Sequence, residues 1–299
     1  MLWLTETAGR CSWSSPETEP LLDSVNVTGS RPGHDMIEYI KAVILGILEG
    51  LTEFLPISST GHLIVARRLL NFVDTGGTFE LVIQLGAILA VIWYFRQDIW
   101  SRLRRLHSDR GLAWVLAIAF LPAAVVGLLM GSKIKDLLFN PLTVAISLIA
   151  GGVILWVVDS ERESATDSTL DNVTRRQALL VGIGQLAAFV PGVSRSGATI
   201  VGGIATGMDR KTATEFSFYL AIPTLGIATV YDFVQNYQTI VESGQMGLFA
   251  AGTVSAFLVA LFAIGWLLRY ISRHSFRNFA IYRILVGLFI LGLLATSVL

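Results

Sequence analysis

The sequence has a single cysteine, Cys11, so internal disulfides and cysteine-based metal sites are excluded. Charge is scarce as well. Asp, Glu, Lys and Arg make up 15% of the 299 residues, against about 25% in soluble globular chains. The 22 basic residues balance the 22 acidic ones, which leaves no basic domain for nucleic acid. No polar stretch is long enough to form a soluble domain. What fills the chain instead is apolar: 53% hydrophobic residues and a mean hydropathy of +0.65. Apolar runs near 78–95, 112–131, 141–158, 212–231, 248–268 and 279–299 approach the roughly 20 residues that a spanning helix needs. The fold class expected is an all-α polytopic membrane protein, with its chemistry in or at the bilayer.

Residues 1–35 are polar, rich in Ser, Thr and Pro, and without periodicity. They read as a disordered N-terminal extension, since no continuous apolar segment makes them a signal peptide. Residues 36–299 form one integral membrane domain.

That domain repeats itself. LGILEGLTEFLPISSTG near 45–61 and LVGIGQLAAFVPGVSRSG near 180–197 are each an apolar helix, then Phe-x-Pro, then a serine-rich glycine break. Pro56 and Pro191 lie 135 positions apart, as do Phe79 and Thr214, which sets Glu80 opposite Glu215. Repeat one covers 36–158 and repeat two 174–299. Pro56 cannot continue a helix interior, so 37–56 and 59–71 are expected to form a re-entrant helical hairpin followed by three transmembrane helices. An odd number of crossings inverts the second unit, giving an inverted-topology repeat whose hairpin tips meet near the midplane.

Charge supports this arrangement. Loops 96–111, 159–176, 208–211 and 269–277 fall on one side and carry thirteen Lys and Arg residues. The other side carries fewer: Lys133 and Lys135 in 132–140, none in 234–247, and Lys41, Arg67 and Arg68 in the first hairpin. The basic side is expected to be cytoplasmic, so the first hairpin opens outward.

The broken segments hold the reactive residues. Glu49 and Glu53, four apart, share a helix face. Each charge at mid-bilayer costs about 2.5–3.5 kcal/mol, so the pair calls for a shared proton or a cation. A divalent cation held by Glu49 and Glu53 suits two carboxylates that also meet substrate phosphates. Arg195 follows a Pro-Gly turn at the start of a half-helix, where a guanidinium and free N–H groups favour a phosphate. Ser194, Ser196 and Thr199 flank it, either as ligands or as caps. Ser58, Ser59, Thr60 and His62 complete the set. Ser59 is the candidate nucleophile with His62, three positions on, as its base; plain capping by Ser58 or Ser59 is the alternative. A metal, an arginine and a Ser/His pair suit phosphoryl transfer on a lipid.

EGLTEFLPISSTGH (49–62) and PGVSRSGAT (191–199) resemble the two signature segments of the bacterial undecaprenyl-diphosphate phosphatase family, also called bacitracin resistance proteins. The similarity runs from about Met36 to the C-terminus. It implies hydrolysis of undecaprenyl diphosphate to undecaprenyl phosphate, recycling the carrier for peptidoglycan and other envelope polymers, with associated bacitracin resistance. It also implies dependence on Mg²⁺ or Ca²⁺, a plasma-membrane location and an outward-facing site. Carried over by motif, Glu49, Glu53, Ser59, His62 and Arg195 are catalytic, with Ser58, Thr60, Ser194, Ser196 and Thr199 near the substrate. The partners are the lipid substrate and the bilayer, with a homodimer left open. The expected chemistry is attack by Ser59 on the terminal phosphorus with His62 as base; direct attack by water is the closest rival. The competing function is a lipid-phosphate transporter or flippase, because inverted repeats with broken helices are transporter architecture.

The charge asymmetry gives a topology test. In a Cys11→Ser background, a cysteine at Ser243 should react with an impermeant maleimide added to intact cells, and one at Ser272 should not. The reverse pattern would overturn the expected orientation.

Overall fold

The computed structural model describes residues 32–72, 78–105, 111–138, 140–160, 168–242 and 244–296. Among them the secondary structure is entirely helical. The first hairpin pairs α1 (Pro32–Thr52) with α2 (Ser59–Leu70). Then come α3 (Thr78–Tyr94), α4 (Arg96–Arg104), α5 (Gly111–Leu138) and α6 (Pro141–Ser160). The second hairpin pairs α7 (Arg175–Gln185) and a 3₁₀ turn, Leu186–Phe189, with α8 (Arg195–Ala205). The chain ends with α9 (Arg210–Glu242), α10 (Met246–Ile271) and α11 (Arg277–Ala295). Each hairpin is thus followed by three long apolar helices. α5, α6, α9, α10 and α11 are long and apolar enough to cross a membrane by themselves, and α3 with α4 would form a sixth, bent span.

Two boundaries differ from expectation. α1 starts at Pro32, so residues 32–35 belong to the helix and not to a disordered extension; proline suits the first helical turn, where its missing N–H costs nothing. Residues 1–31 lie outside the described residues. Residues 96–104, expected as loop, form α4, set at 65° to α3. Its cause is local: Phe95 leaves helical geometry, and the segment beyond turns polar, with Arg96, Arg102 and Arg104 around Trp100. Arg96 sits 4.8 Å from the Trp93 ring and Arg104 5.1 Å from Trp100. Such a helix suits the membrane–water interface better than the hydrocarbon.

The two halves interleave. α1 packs on α10 of the second half, and α7 packs on α5 of the first; α3 meets both α9 and α10, and α6 lies along α11. Small residues allow the closest contact. A Cβ on Gly46 would sit 2.2 Å from the Gly252 carbonyl oxygen, and one on Gly50 would sit 2.4 Å from that of Ala256. Without a hydrophobic driving force between helices in lipid, such close packing is what associates them. It fixes the α1 face that carries Glu49, with Glu53 in the turn just beyond the helix end. Aromatic residues fill the space beside it, with Phe54 edge-on to Phe218 at 5.3 Å.

The arginine-rich segments do gather at one end. Arg210 Nε donates to Asp159 at 2.6 Å, whose other oxygen accepts from the Phe276 N–H at 2.8 Å. Arg102 bridges Asp98 and Asp171, and the Tyr219 hydroxyl donates to Asp98. Asp209 takes the Ser168 N–H and the Thr212 N–H, each at 2.9 Å. Burial alone would raise the Asp209 carboxyl, but these donors hold it below the ordinary carboxylate range.

Gly50→Val should push α1 off α10 and lower stability by about 1–3 kcal/mol, read as a lower thermal unfolding midpoint in detergent. An unchanged midpoint would show that the approach is not tight.

Candidate functional site

Both hairpins break in the same way. α1 ends at Thr52, and Pro56 forbids its continuation. Ser58 then takes a positive φ, 73°, and caps α2 by accepting the Gly61 N–H. In the second hairpin Pro191 is followed by Gly192 at φ 92°. There a side chain would also strike the Val144 carbonyl oxygen at 2.6 Å. Ser194, at φ 72°, caps α8 by accepting the Gly197 N–H. Positive φ in a non-glycine residue is uncommon and costs energy. Its occurrence at the matching serine of both breaks is a property of the site.

The breaks bring the predicted charges together. Arg195 Nη2 donates to Glu53 Oε1 at 3.0 Å, with both side chains at most 9% exposed. The other oxygen, Glu53 Oε2, accepts from Ser59 Oγ at 2.6 Å. Arg195 Nη1 donates to the Ser217 carbonyl at 3.0 Å, and its guanidinium carbon lies 5.8 Å from the Phe54 ring centroid. Glu49 is 1% exposed. Two buried polar atoms here have no hydrogen-bond partner: Glu49 Oε1 and Arg195 Nε. Buried polar atoms are nearly always paired, so an unpaired acceptor and an unpaired donor at one site suit a cationic and an anionic ligand.

Most of the other hydroxyls are taken by the protein. Ser58 and Ser194 cap helices, and Ser194 and Ser196 lie 3.0 Å apart. Ser196 Oγ donates to the Leu55 carbonyl at 2.8 Å, tying the second hairpin to the first. Thr199 Oγ1 lies 2.7 Å from Ser217 Oγ and donates to the Arg195 carbonyl. Thr60 follows Ser59 on the first turn of α2.

His62 is not where a base for Ser59 was expected. Its Nδ1 lies 2.7 Å from the Ser58 carbonyl, which can only accept, so Nδ1 carries the hydrogen. The neutral ring's Nε2 then accepts from the Tyr282 hydroxyl at 2.8 Å. The rings of His62 and Tyr282 stack. The Ser59 hydroxyl gives its hydrogen to Glu53 instead. A spacing of three along a helix permits a Ser–His contact, but the pull of α11 on the imidazole wins.

Glu80 pairs with Arg67 at 2.7 Å, tying α3 to α2 and steadying the hairpin. Three contributors were not anticipated. Ser217 and Tyr282 gave no sequence signal. Arg283 did: it interrupts the apolar run 279–299, and an arginine at such a place is rarely idle. It is 1% exposed and reaches the backbone of both breaks.

As for a cation, Glu49 and Glu53 offer two carboxylates on one face, one with an oxygen that nothing satisfies. No group of three Asp, Glu, His or Cys side chains assembles among the described residues. The donor set therefore fits a hard divalent ion only if water or phosphate oxygens supply the rest, which is the usual habit of Mg²⁺.

Fold and site together define a polytopic helical membrane protein with a buried acid–guanidinium–hydroxyl centre built on two broken helices. Residues 42–289 match the model of the family described as bacitracin resistance protein BacA. The undecaprenyl-diphosphatase of Methylobacillus flagellatus is 49% identical over 266 residues, covering 86% of this chain and 98% of that protein. Undecaprenyl-diphosphatase 1 of Burkholderia cenocepacia is 50% identical, covering 86% and 96%. The undecaprenyl-diphosphatase of Deinococcus radiodurans is 45% identical, covering 88% and 98%. The chain belongs to the BacA family.

Ser196→Ala removes the hydroxyl that joins the hairpins. It should cost about 1 kcal/mol of stability, measured by unfolding of the purified protein; no loss would mean that this contact does not hold the tips.

Proposed function

We propose that this protein hydrolyses undecaprenyl diphosphate to undecaprenyl phosphate and inorganic phosphate. The reaction recycles the lipid carrier used in peptidoglycan and envelope synthesis, with bacitracin resistance as its associated phenotype. The observation that carries the chemistry is the chain of contacts Ser59–Glu53–Arg195. It places a hydroxyl, a proton acceptor and a cation in one buried spot.

Ser59 Oγ attacks the terminal phosphorus while Glu53 Oε2 takes its proton. The bond from that phosphorus to the bridging oxygen breaks, and undecaprenyl phosphate leaves with the bonding electrons. Water then hydrolyses the phosphoserine and restores Ser59. Direct attack by water, with Glu53 as its base, gives the same products. Arg195 keeps Nη2 on Glu53 and has Nε free for a phosphate oxygen. Glu49 and Glu53 would hold Mg²⁺ or Ca²⁺, which would neutralise the diphosphate. Ser58, Ser194, Ser196 and Thr199 serve by fixing the breaks, and His62 by holding the Ser58 carbonyl.

The inverted repeat and an outward-facing site belong to this reading. It is supported by the matching serine geometry of the breaks, by the reciprocal packing of α1 on α10 and α7 on α5, and by the arginine-rich segments at one end. Transport of the lipid is not favoured. The second hairpin carries Gly184 and Ala188 where the first has Glu49 and Glu53, so the acid groups come from one side only.

The test is phosphate release from undecaprenyl diphosphate by purified protein in detergent, with and without EDTA. Release that EDTA abolishes and added Mg²⁺ or Ca²⁺ restores is expected; no release would return the case to transport. Glu53→Gln and Arg195→Ala should each lose about 100-fold or more. His62→Gln should lower the rate without changing the shape of the pH–rate profile, and loss of a titration limb would give the base role back to His62.

A further inference from the structure

Arg283, in the middle of α11, has no carboxylate partner among the described residues. Its guanidinium is instead surrounded by carbonyl oxygens. Nη1 donates to Pro56 at 3.0 Å. Nη2 donates to Val193 at 2.9 Å and Gly192 at 3.1 Å, and lies 3.4 Å from Ser147. Nε lies 3.4 Å from the Leu148 carbonyl. Pro56 belongs to the break of the first hairpin, and Gly192 and Val193 to that of the second. One side chain therefore holds both breaks at once, and α6 as well.

The need for it is physical. A chain that leaves helical geometry exposes carbonyls which no helix N–H satisfies, and hydrocarbon supplies no water to do so. A guanidinium offers five donors in a rigid fork and no acceptor, so it can serve several carbonyls pointing from different directions. An ammonium has three donors and a single centre. The surroundings leave room for the fork alone: a Cβ on Gly151 would lie 2.0 Å from Nη2, and one on Gly197 2.7 Å from Nη1.

We infer that Arg283 is a positioning residue for the reaction, setting the register of the first hairpin's break against the second. Pro56 is three residues from Ser59, and Val193 two from Arg195. The distance between the Ser59–Glu53 pair and Arg195 thus depends on the fork that spans the two breaks. Arg283 touches neither the reacting atoms nor Glu53; it acts through backbone. The inference rests on the phosphatase reading for its kinetic consequence, and on the hydrogen bonds alone for its structural one.

Arg283→Met, Arg283→Lys and Gly151→Ala test it. Gly151→Ala keeps the arginine and its charge but places a methyl where Nη2 lies. A displacement of about 1 Å in a reacting geometry costs on the order of 100-fold in rate. Arg283→Met should therefore lower kcat about 100-fold and leave KM within about threefold, because the lipid chain and head group still find their contacts. Arg283→Lys should recover only part of the loss, and Gly151→Ala should reproduce the kcat defect while the purified protein still unfolds in one cooperative transition. If Arg283→Met does not fold, Gly151→Ala decides. kcat within twofold of wild type in Gly151→Ala, or a defect seen in KM alone, would overturn the inference. Hydrogen exchange separates it from the functional reading. Should the wild type release no phosphate, faster exchange at both 54–59 and 192–197 in Gly151→Ala would still support the clamp, and unchanged exchange at either would refute it.

Discussion

Glu53 and Arg195 are each too expensive to leave alone in hydrocarbon, and the rest of the structure follows from burying them together. An unpaired arginine or glutamate at mid-bilayer is costly by any scale, and a pair repays that cost only with good geometry and further hydrogen bonds. Glu53 satisfies both oxygens, one on Arg195 and one on Ser59. Since the two charges come from separate hairpins, neither hairpin can be correct without the other. The tips must meet, the helices must break where they meet, and the exposed backbone of each break must find partners.

Those partners explain the density of hydroxyl groups in the two motifs. Ser58 and Ser194 each bend to a positive φ and cap a half-helix. Ser196 ties its helix start to the Leu55 carbonyl, and Thr199 joins α8 to Ser217 on α9. Most of the polar groups that look reactive in the sequence are thus spent on holding the backbone. Within the Glu49, Glu53, Ser59 and Arg195 group, what remains unspent is small: one oxygen of Glu49, one nitrogen of Arg195, and a serine hydroxyl that donates to a carboxylate. These three are what the two breaks leave available to a ligand.

Much of this was legible before any coordinates, because hairpins and crossings are written in local chemistry. Pro56 and Pro191 mark where helices stop, apolar runs mark where they span, and a repeated pattern 135 positions apart shows which segments correspond. The pairing of Glu53 with Arg195 followed from the cost of leaving either alone. What could not be read depended on side chains distant in the chain. His62 was matched to its nearest hydroxyl, whereas its partner Tyr282 stands 220 residues away. The local spacing says nothing about which face of α2 meets α11. Serines at helix starts are ambiguous between cap and ligand until the φ angles are known. Arg283 was visible as an oddity inside an apolar run, yet its carbonyl partners are backbone atoms, which leave no trace in residue identity. The α4 helix was hidden for a different reason: its pattern of Arg and Trp reads as loop when only hydropathy is weighed.

The most direct measurement is a double-mutant cycle on Glu53 and Arg195, read by unfolding free energy. Glu53→Gln and Arg195→Met, alone, each strand one member of a buried pair, at a cost of about 3–5 kcal/mol for a fully uncompensated charge. Together they should cost less than their sum by about 1 kcal/mol or more. Additivity to within about 0.5 kcal/mol would mean that the two charges do not meet inside the membrane.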